Sequence, residues 1–203
     1  MAIKFTPRFE KPEAGNKYYI TKSSGGYSPC ITGKPTDVCN VLANCVGYAV
    51  GRFNEIGGYN CCKYLASTNA ENMANAAKNQ GLTVSDTPTL GGCMVWAKGK
   101  IGNSADGAGH VAIVEQINSD GSIITSESGY NAKKPFWTQK RQKIPNWGES
   151  SEYTYIGCIV NPAVQLTVYR VQTGAFYSRE LAEKYAADLK KHGIDCFIVE
   201  CLR

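Results

Sequence analysis

Long apolar runs are missing from this chain of 203 residues: no stretch approaches the roughly 18–20 consecutive apolar residues of a membrane-spanning helix. The opening stretch, Met1 to Glu10, carries Lys4 and Arg8 but no apolar segment, and does not read as a secretory signal. The expectation is a protein that works where it is made or leaves by a route without a standard signal. Histidine is scarce, with only His110 and His192, and no C-x-x-C pair occurs, so a zinc site of that spacing is excluded. Lys and Arg form no run that would read as a nucleic-acid stripe. The net charge of +5, from 22 basic and 17 acidic residues, is spread along the chain and serves solubility or a weak attraction to polyanions. No nucleic acid or membrane partner is expected.

Cysteine, by contrast, is abundant. Cys30, Cys39, Cys45, Cys61, Cys62, Cys93, Cys158, Cys196 and Cys201 make nine, an odd number in a chain too long for a disulfide miniprotein, and reduced thiols are expected. Aromatic residues make up 10% of the chain, which argues against disorder.

Residues 1–40 are rich in Gly, Pro, Ser and Tyr, with turn signals at Ser23–Gly26 and Gly33–Pro35, and read as loop. A helix is predicted from about Asn44, with Val46, Ala49, Val50 and Phe53 on one face and a stop at Gly57 and Gly58. Thr68 and Glu71 have capping-box spacing ahead of a second helix carrying Met73, Ala76 and Ala77, which Gly81 would end. Strands are predicted at Cys93–Trp96, His110–Ile117, Ile123–Ser128 and Tyr153–Val160, with a hairpin turn at Asn118–Gly121. Lys98–Gly109 reads as loop and 131–150 as irregular. After Asn161 and Pro162 come a strand at Val168–Thr173, a helix from Ser178 to His192 with Leu181, Tyr185 and Leu189 on one face, and a strand at Ile194–Val199. The expected class is α+β: helices on an antiparallel sheet over 1–162, then a β-α-β unit over 163–203 that is too small to bury much core alone.

A nucleophilic cysteine needs a base within hydrogen-bond reach, and the base needs an orienting partner. His192 reads as a solvated residue at a helix C-terminus, where the dipole favours a cation. His110 opens an apolar strand, and its plain alternative is a buried structural histidine. Glu127 reaches it if the intervening hairpin loop has two or four residues. With Ile117 opposite Ser122, Glu127 faces Ala112, and its Cβ lies about 7–8 Å or less from that of His110. A three-residue loop would turn Glu127 to the other face, as a solvent-facing carboxylate. Cys45 opens the first helix, where the dipole favours a thiolate and backbone N–H groups suit an oxyanion; a buried helix cysteine is its alternative. Cys61, Cys62, Cys93 and Cys158 lie in apolar or turn segments without that argument.

Four segments resemble the CHAP family, cysteine- and histidine-dependent amidohydrolases and peptidases of the papain-like superfamily. They are Asn44-Cys45-Val46-Gly47-Tyr48-Ala49, Gly92-Cys93-Met94-Val95-Trp96, Gly109-His110-Val111-Ala112-Ile113-Val114 and Ser126-Glu127-Ser128-Gly129-Tyr130. Cys93 departs from the Gly-Asp that usually opens its strand. The resemblance spans roughly residues 15–160 and implies hydrolysis of an amide bond in peptidoglycan, either at muramoyl–alanine or within the peptide. It implies Cys45 as nucleophile, His110 as base and Glu127 as its orienting partner, with Asn131 the other candidate for third member. Asn44, Tyr48, Trp96, Tyr130, Asn131 and Trp137 are the expected substrate-binding residues. For the four aromatics, plain core packing is the alternative, and Trp137, in a polar stretch, is the best candidate among them. Some relatives bind calcium just before the cysteine; here Thr36–Asn40 holds one carboxylate, so no metal and no cofactor is expected.

In the tail, Tyr169–Phe176, the Glu180–Lys191 helix and the Gly193–Val199 strand resemble half of a SPOR domain, a family that binds septal peptidoglycan glycans. One β-α-β half is present where that family has about two, so a homodimer completing the sheet is the expected partner arrangement, with packing of the half-unit on its own chain as the alternative. Together the resemblances imply a bacteriophage endolysin held in the host cytoplasm until lysis and then acting on the wall. The rivals are an intracellular cysteine amidase or isopeptidase, and a wall-binding protein without catalysis.

Overall fold

The computed structural model describes residues 5–13, 16, 18–19, 44–58, 65, 68–98, 109–130, 132–143, 146–164, 174–194 and 196–200. The turns expected at 23–26 and 33–35, the acidic position at 37, five of the cysteines, Asn131, most of the 98–109 loop and the strand expected at 168–173 lie outside them. The chain divides into two compact units, Met1–Gln165 and Leu166–Arg203.

In the first unit, helix α1 (Cys45–Gly57) forms where its periodicity places it. Asn44 is the N-cap, its side-chain oxygen accepting the Gly47 N–H at 2.9 Å. Gly58 ends the helix at φ +66°, a left-handed position that favours glycine. Most of α1 is buried, polar Arg52 and Asn54 included, which makes it the central helix of the unit. A 3-10 turn (Ala70–Asn72) leads into helix α2 (Met73–Asn79). The N-cap falls at Asn69, with no side-chain capping bond, so the Thr68–Glu71 capping box does not form.

Among the described residues six strands follow: β1 (Val84–Ser85), β2 (Cys93–Lys98), β3 (His110–Ile117), β4 (Ile123–Glu127), β5 (Trp137–Arg141) and β6 (Tyr153–Ile159). They form one sheet in the order β1-β6-β2-β3-β4-β5, and each paired neighbour is antiparallel. The α+β class is the one expected. Strand β5 corrects the irregular reading of 131–150. Its residues alternate between more and less buried, but Thr, Gln and Lys supply the alternation in place of apolar residues, so the usual hydrophobic signal is absent. Two apolar clusters hold the sheet. Val46, Val50, Phe53, Met73, Val95, Val111, Ile113 and Ile159 join the helices to one face. Met94, Trp96, Ala112, Val114, Ile123, Trp147 and Cys158 form the other cluster. Strand β2 is therefore buried on both faces and reads as a continuous apolar run.

The β3–β4 hairpin corrects the register argument. Ile117 pairs with Ile123, not Ser122, so the loop has five residues, closed by the Asn118 N–H donating to the Ser122 carbonyl at 2.8 Å. That loop alone would turn Glu127 away from His110. A register shift between Val114 and Gln116 restores it: beyond the shift Val114 pairs with Thr125 and Ile113 with Ser126. Glu115 is the extra residue of this bulge.

In the second unit, helix α3 (Arg179–Lys191) has Ser178 as N-cap and Lys190 and Lys191 in its last turn. None of its residues is buried. The Tyr185 ring packs 5.3 Å from that of Phe176. Ile194 and residues 196–200 carry no strand, contrary to expectation.

Candidate active site

Cys45 stands at the N-terminus of α1. With Gly47 capped by Asn44, and the Tyr48 N–H donating to the Asn44 carbonyl at 2.9 Å, the N–H groups of Cys45 and Val46 precede the first intrahelical bond and remain at the helix end beside the thiol. His110 opens β3 after Gly109. Gly109 has φ +71°, and a Cβ there would run into the Trp96 carbonyl oxygen and the backbone of Glu71. Glycine is required for the strand to start where it delivers His110.

His110 Nε2 and Glu127 Oε2 are 2.8 Å apart. The Cys45 side chain lies close enough to the imidazole to act on it electrostatically. With Nε2 on a carboxylate, Nδ1 is the nitrogen left for the thiol. Burial disfavours the imidazolium, but the nearby Cys45 side chain and the hydrogen-bonded Glu127 carboxylate outweigh it and push the His110 pKa up to about 10. Burial likewise disfavours the Glu127 carboxylate, yet the His110 hydrogen bond and the Arg141 charge hold its pKa below the usual range. Cys93 and Cys158 are buried, and burial pushes both thiols up, so neither is a competing nucleophile.

These groups open onto a cleft of about 740 Å³ whose lining includes Asn44, Cys45, His110, Glu127, Tyr130 and Trp137. Trp137 lies parallel to the His110 ring, 6° apart in plane and 6.4 Å between centroids. Tyr130 is 57% exposed at the rim. Asn44 borders the cleft, but its side-chain oxygen is committed to the helix cap. Two expected substrate residues are misplaced by the sequence reading. Tyr48 is fully buried and donates its hydroxyl to Ser126 Oγ at 2.7 Å. Trp96 is fully buried behind His110, with its Nε1 donating to the Asn146 carbonyl at 2.8 Å. Both are core because their strand or helix is covered on both sides. Asn131 lies outside the described residues.

Sequence reasoning missed Arg141 and Glu149. Arg141 is fully buried; its Nε donates to Glu127 Oε1 at 2.9 Å and one terminal nitrogen to Glu127 Oε2 at 2.8 Å. That same nitrogen donates to Glu149 Oε1 at 2.6 Å. Thr125 Oγ1 also donates to Glu127. The signal, seen late, is register: pairing of β4 with β5 sets Glu127 opposite Trp137, Thr125 opposite Gln139 and Ile123 opposite Arg141. His110, Glu127 and Glu149 place possible ligand atoms within 4.8 Å of one another. The Arg141 guanidinium already bridges the two carboxylates, so this set is built around an arginine.

A thiol at a helix N-terminus, an imidazole on the same cleft and a buried carboxylate behind the imidazole are the groups that nucleophilic cysteine chemistry needs. Residues 36–129 match the CHAP domain family, and residues 159–200 match the SPOR domain family. Staphylococcal secretory antigen SsaA of Staphylococcus aureus is 34% identical over 138 residues, covering 58% of this chain and 49% of that one. Staphylococcal secretory antigen ssaA2 of the same species is 41% identical over 80 residues, covering 38% of this chain and 26% of that one. The chain thus spans about half the length of SsaA. A crystal structure of N-acetylmuramoyl-L-alanine amidase from Staphylococcus aureus is 29% identical, covering 57% of this chain and 30% of that one, with a TM-score of 0.42.

Proposed function

We propose that this protein hydrolyses an amide bond of peptidoglycan, with Cys45 as nucleophile, His110 as general base and acid, and Glu127 as the residue that orients His110. The observation that carries the reading is that Cys45, His110 and Glu127 line one open cleft, with His110 hydrogen-bonded to Glu127 and under the electrostatic influence of Cys45. His110 Nδ1 carries the proton taken from the thiol, and sulfur attacks the carbonyl carbon as the thiolate. The oxyanion is held by the N–H groups at the start of α1. The C–N bond then breaks, His110 returns its proton to the leaving nitrogen, and an acyl-thioester remains. Water attacks the thioester carbonyl as His110 takes its proton, the C–S bond breaks to release the carboxylic acid product, and the proton returns from His110 to Cys45 sulfur. Trp137 and Tyr130 supply faces for sugar or peptide. The SPOR match supports wall binding by the second unit, and pairing of two such units in a homodimer is the arrangement we infer for it.

The finer reading is an endolysin kept in the host cytoplasm until lysis. The four cysteines among the described residues are all free thiols, which suits a reducing compartment. Incubation with purified peptidoglycan, wild type against Cys45→Ala, with mass spectrometry of the soluble fragments, tests the activity. New amide-cleavage termini that depend on Cys45 support it and name the bond. Equal release by both proteins overturns the Cys45 assignment, and release by neither overturns the activity.

A further inference from the structure

Arg141 raises a problem of charge. An imidazolium is stabilised by a carboxylate partner, but a guanidinium clamped on that carboxylate cancels its charge. Arg141 is clamped tightly: Glu127 takes two of its donors, its Nε also reaches Thr125 Oγ1 at 3.1 Å, and its other terminal nitrogen donates to the Trp147 carbonyl at 2.9 Å. The guanidinium also lies over the Trp96 ring, 4.7 Å from its centroid. The Glu127 carboxylate is thus fixed in one orientation, at the cost of its net charge.

Glu149 answers that problem. Its carboxylate accepts from the same Arg141 nitrogen, stands within 4.8 Å of the His110–Glu127 pair and lines the cleft. The backbone leading to it is unusual. Asn146, Trp147 and Gly148 have φ of +47°, +56° and +82°, and left-handed conformation at two consecutive non-glycine residues persists only where the surroundings hold it. The surroundings here are site residues. The Asn146 carbonyl accepts from Trp96, the Trp147 carbonyl accepts from Arg141, and Asn146 Nδ2 donates to the Tyr153 carbonyl at 2.7 Å. The strained turn delivers both the Trp147 carbonyl and Glu149 to one guanidinium.

We propose that Arg141 and Glu149 complete the site as a pair: Arg141 is a positioning residue that fixes Glu127, and Glu149 restores the negative charge that Arg141 cancels, so that the His110 imidazolium keeps a counter-charge. The proposal rests on His110 acting as the base of Cys45. The charged and titratable groups around His110 among the described residues are Cys45 from α1, Glu127 from β4, Arg141 from β5 and Glu149 after the strained turn. Lys98 of β2 and Tyr153 of β6 line the same cleft, and Glu71 of the 3-10 turn packs beside Gly109.

The test uses the two histidines. With 15N-labelled histidine, the full chain gives two imidazole spin systems, and His192→Gln assigns them. In a Cys45→Ala background, Glu149→Gln lowers the His110 midpoint by about one pH unit, a tenfold change in the imidazolium-to-imidazole ratio. Glu149→Asp retains most of the wild-type value. Arg141→Lys keeps the charge but not the fork, so the neutral ring loses its preference for the Nε2–H tautomer, which the 15N shifts report. An unchanged or raised midpoint in Glu149→Gln overturns the charge role, and an unchanged tautomer in a folded Arg141→Lys protein overturns the positioning role. Should Arg141→Lys not fold, as dispersion of the spectrum would show, the Glu149 variants decide the proposal alone. None of these readings needs substrate, so a failure of wall hydrolysis is a separate result.

Discussion

Among the described residues of the first unit, two buried carboxylate–arginine pairs have nearly the same chemistry. Arg52 grips Glu115 through two donors at 2.8 Å each, and Arg141 grips Glu127 at 2.9 and 2.8 Å. Both carboxylates are 1% exposed. They differ in what fills the remaining oxygen lone pairs. Glu115 accepts the Arg8 N–H at 2.8 Å and the Ser126 hydroxyl at 2.6 Å, so the N-terminal segment and β4 close it off. Glu127 accepts from His110, and His110 faces the cleft. A buried ion pair is therefore not a site by itself. It becomes one where a titratable ring stands between it and an accessible nucleophile.

The sharpest break between the two is a matched substitution. Glu127→Gln should cost kcat on the order of 10³–10⁴-fold, because an amide neither fixes the Nε2–H tautomer nor balances the imidazolium. Glu115→Gln should leave kcat nearly intact in the folded protein but destabilise it by about 3 kcal/mol, the effect of leaving a buried arginine unbalanced. Steady-state kinetics and urea unfolding on the same two proteins check both. Loss of catalysis in Glu115→Gln without loss of stability would erase the distinction.

The pH dependence separates the pairs next. The His110 pKa is raised from 6.5 to about 10, so its contribution to stability is complete below about 6.5 and is lost as pH rises towards 10. Glu127 is shifted down, so its contribution holds at neutral pH and is lost as pH falls through its folded value. Urea midpoints at pH 7 and pH 10 should fall more steeply for the wild type than for His110→Ala. Parallel falls would mean that His110 is not held by its partners.

A smaller effect comes from the two aromatics near each pair. Trp137→Ala should raise KM several-fold through loss of cleft surface, with little change in stability. Tyr48→Phe should lower stability by about 1 kcal/mol through loss of the Ser126 bond, with KM unchanged. Least of all is expected in the second unit, where Leu181 is 56% exposed: Leu181→Ala should shift stability by no more than about 0.5 kcal/mol, as read by thermal unfolding.

What could be read in advance follows from where the information lies. The α1 helix, its Asn44 and Gly58 ends and strands β2, β3, β4 and β6 are local, since periodicity, caps and β-branched runs announce them. The nearness of Glu127 to His110 was expected from a loop of two or four residues; it arises instead from a five-residue loop and a compensating bulge at Glu115, which no pattern in the sequence signals. Trp96 and Tyr48 were placed in the cleft because an aromatic side chain suits a sugar face and a core equally; only burial on both sides decides. Arg141 and Glu149 were illegible because β5 is a polar edge strand and the turn before Glu149 is left-handed, both products of tertiary contacts.

The central claim is that His110 activates Cys45. Limited alkylation with iodoacetamide at near-neutral pH, read by peptide mapping, tests it without any substrate. Cys45 should be modified well ahead of the buried Cys93 and Cys158, and its rate should fall roughly tenfold in His110→Ala. An equal Cys45 rate in both proteins, or an unreactive Cys45 in the wild type, would contradict the account.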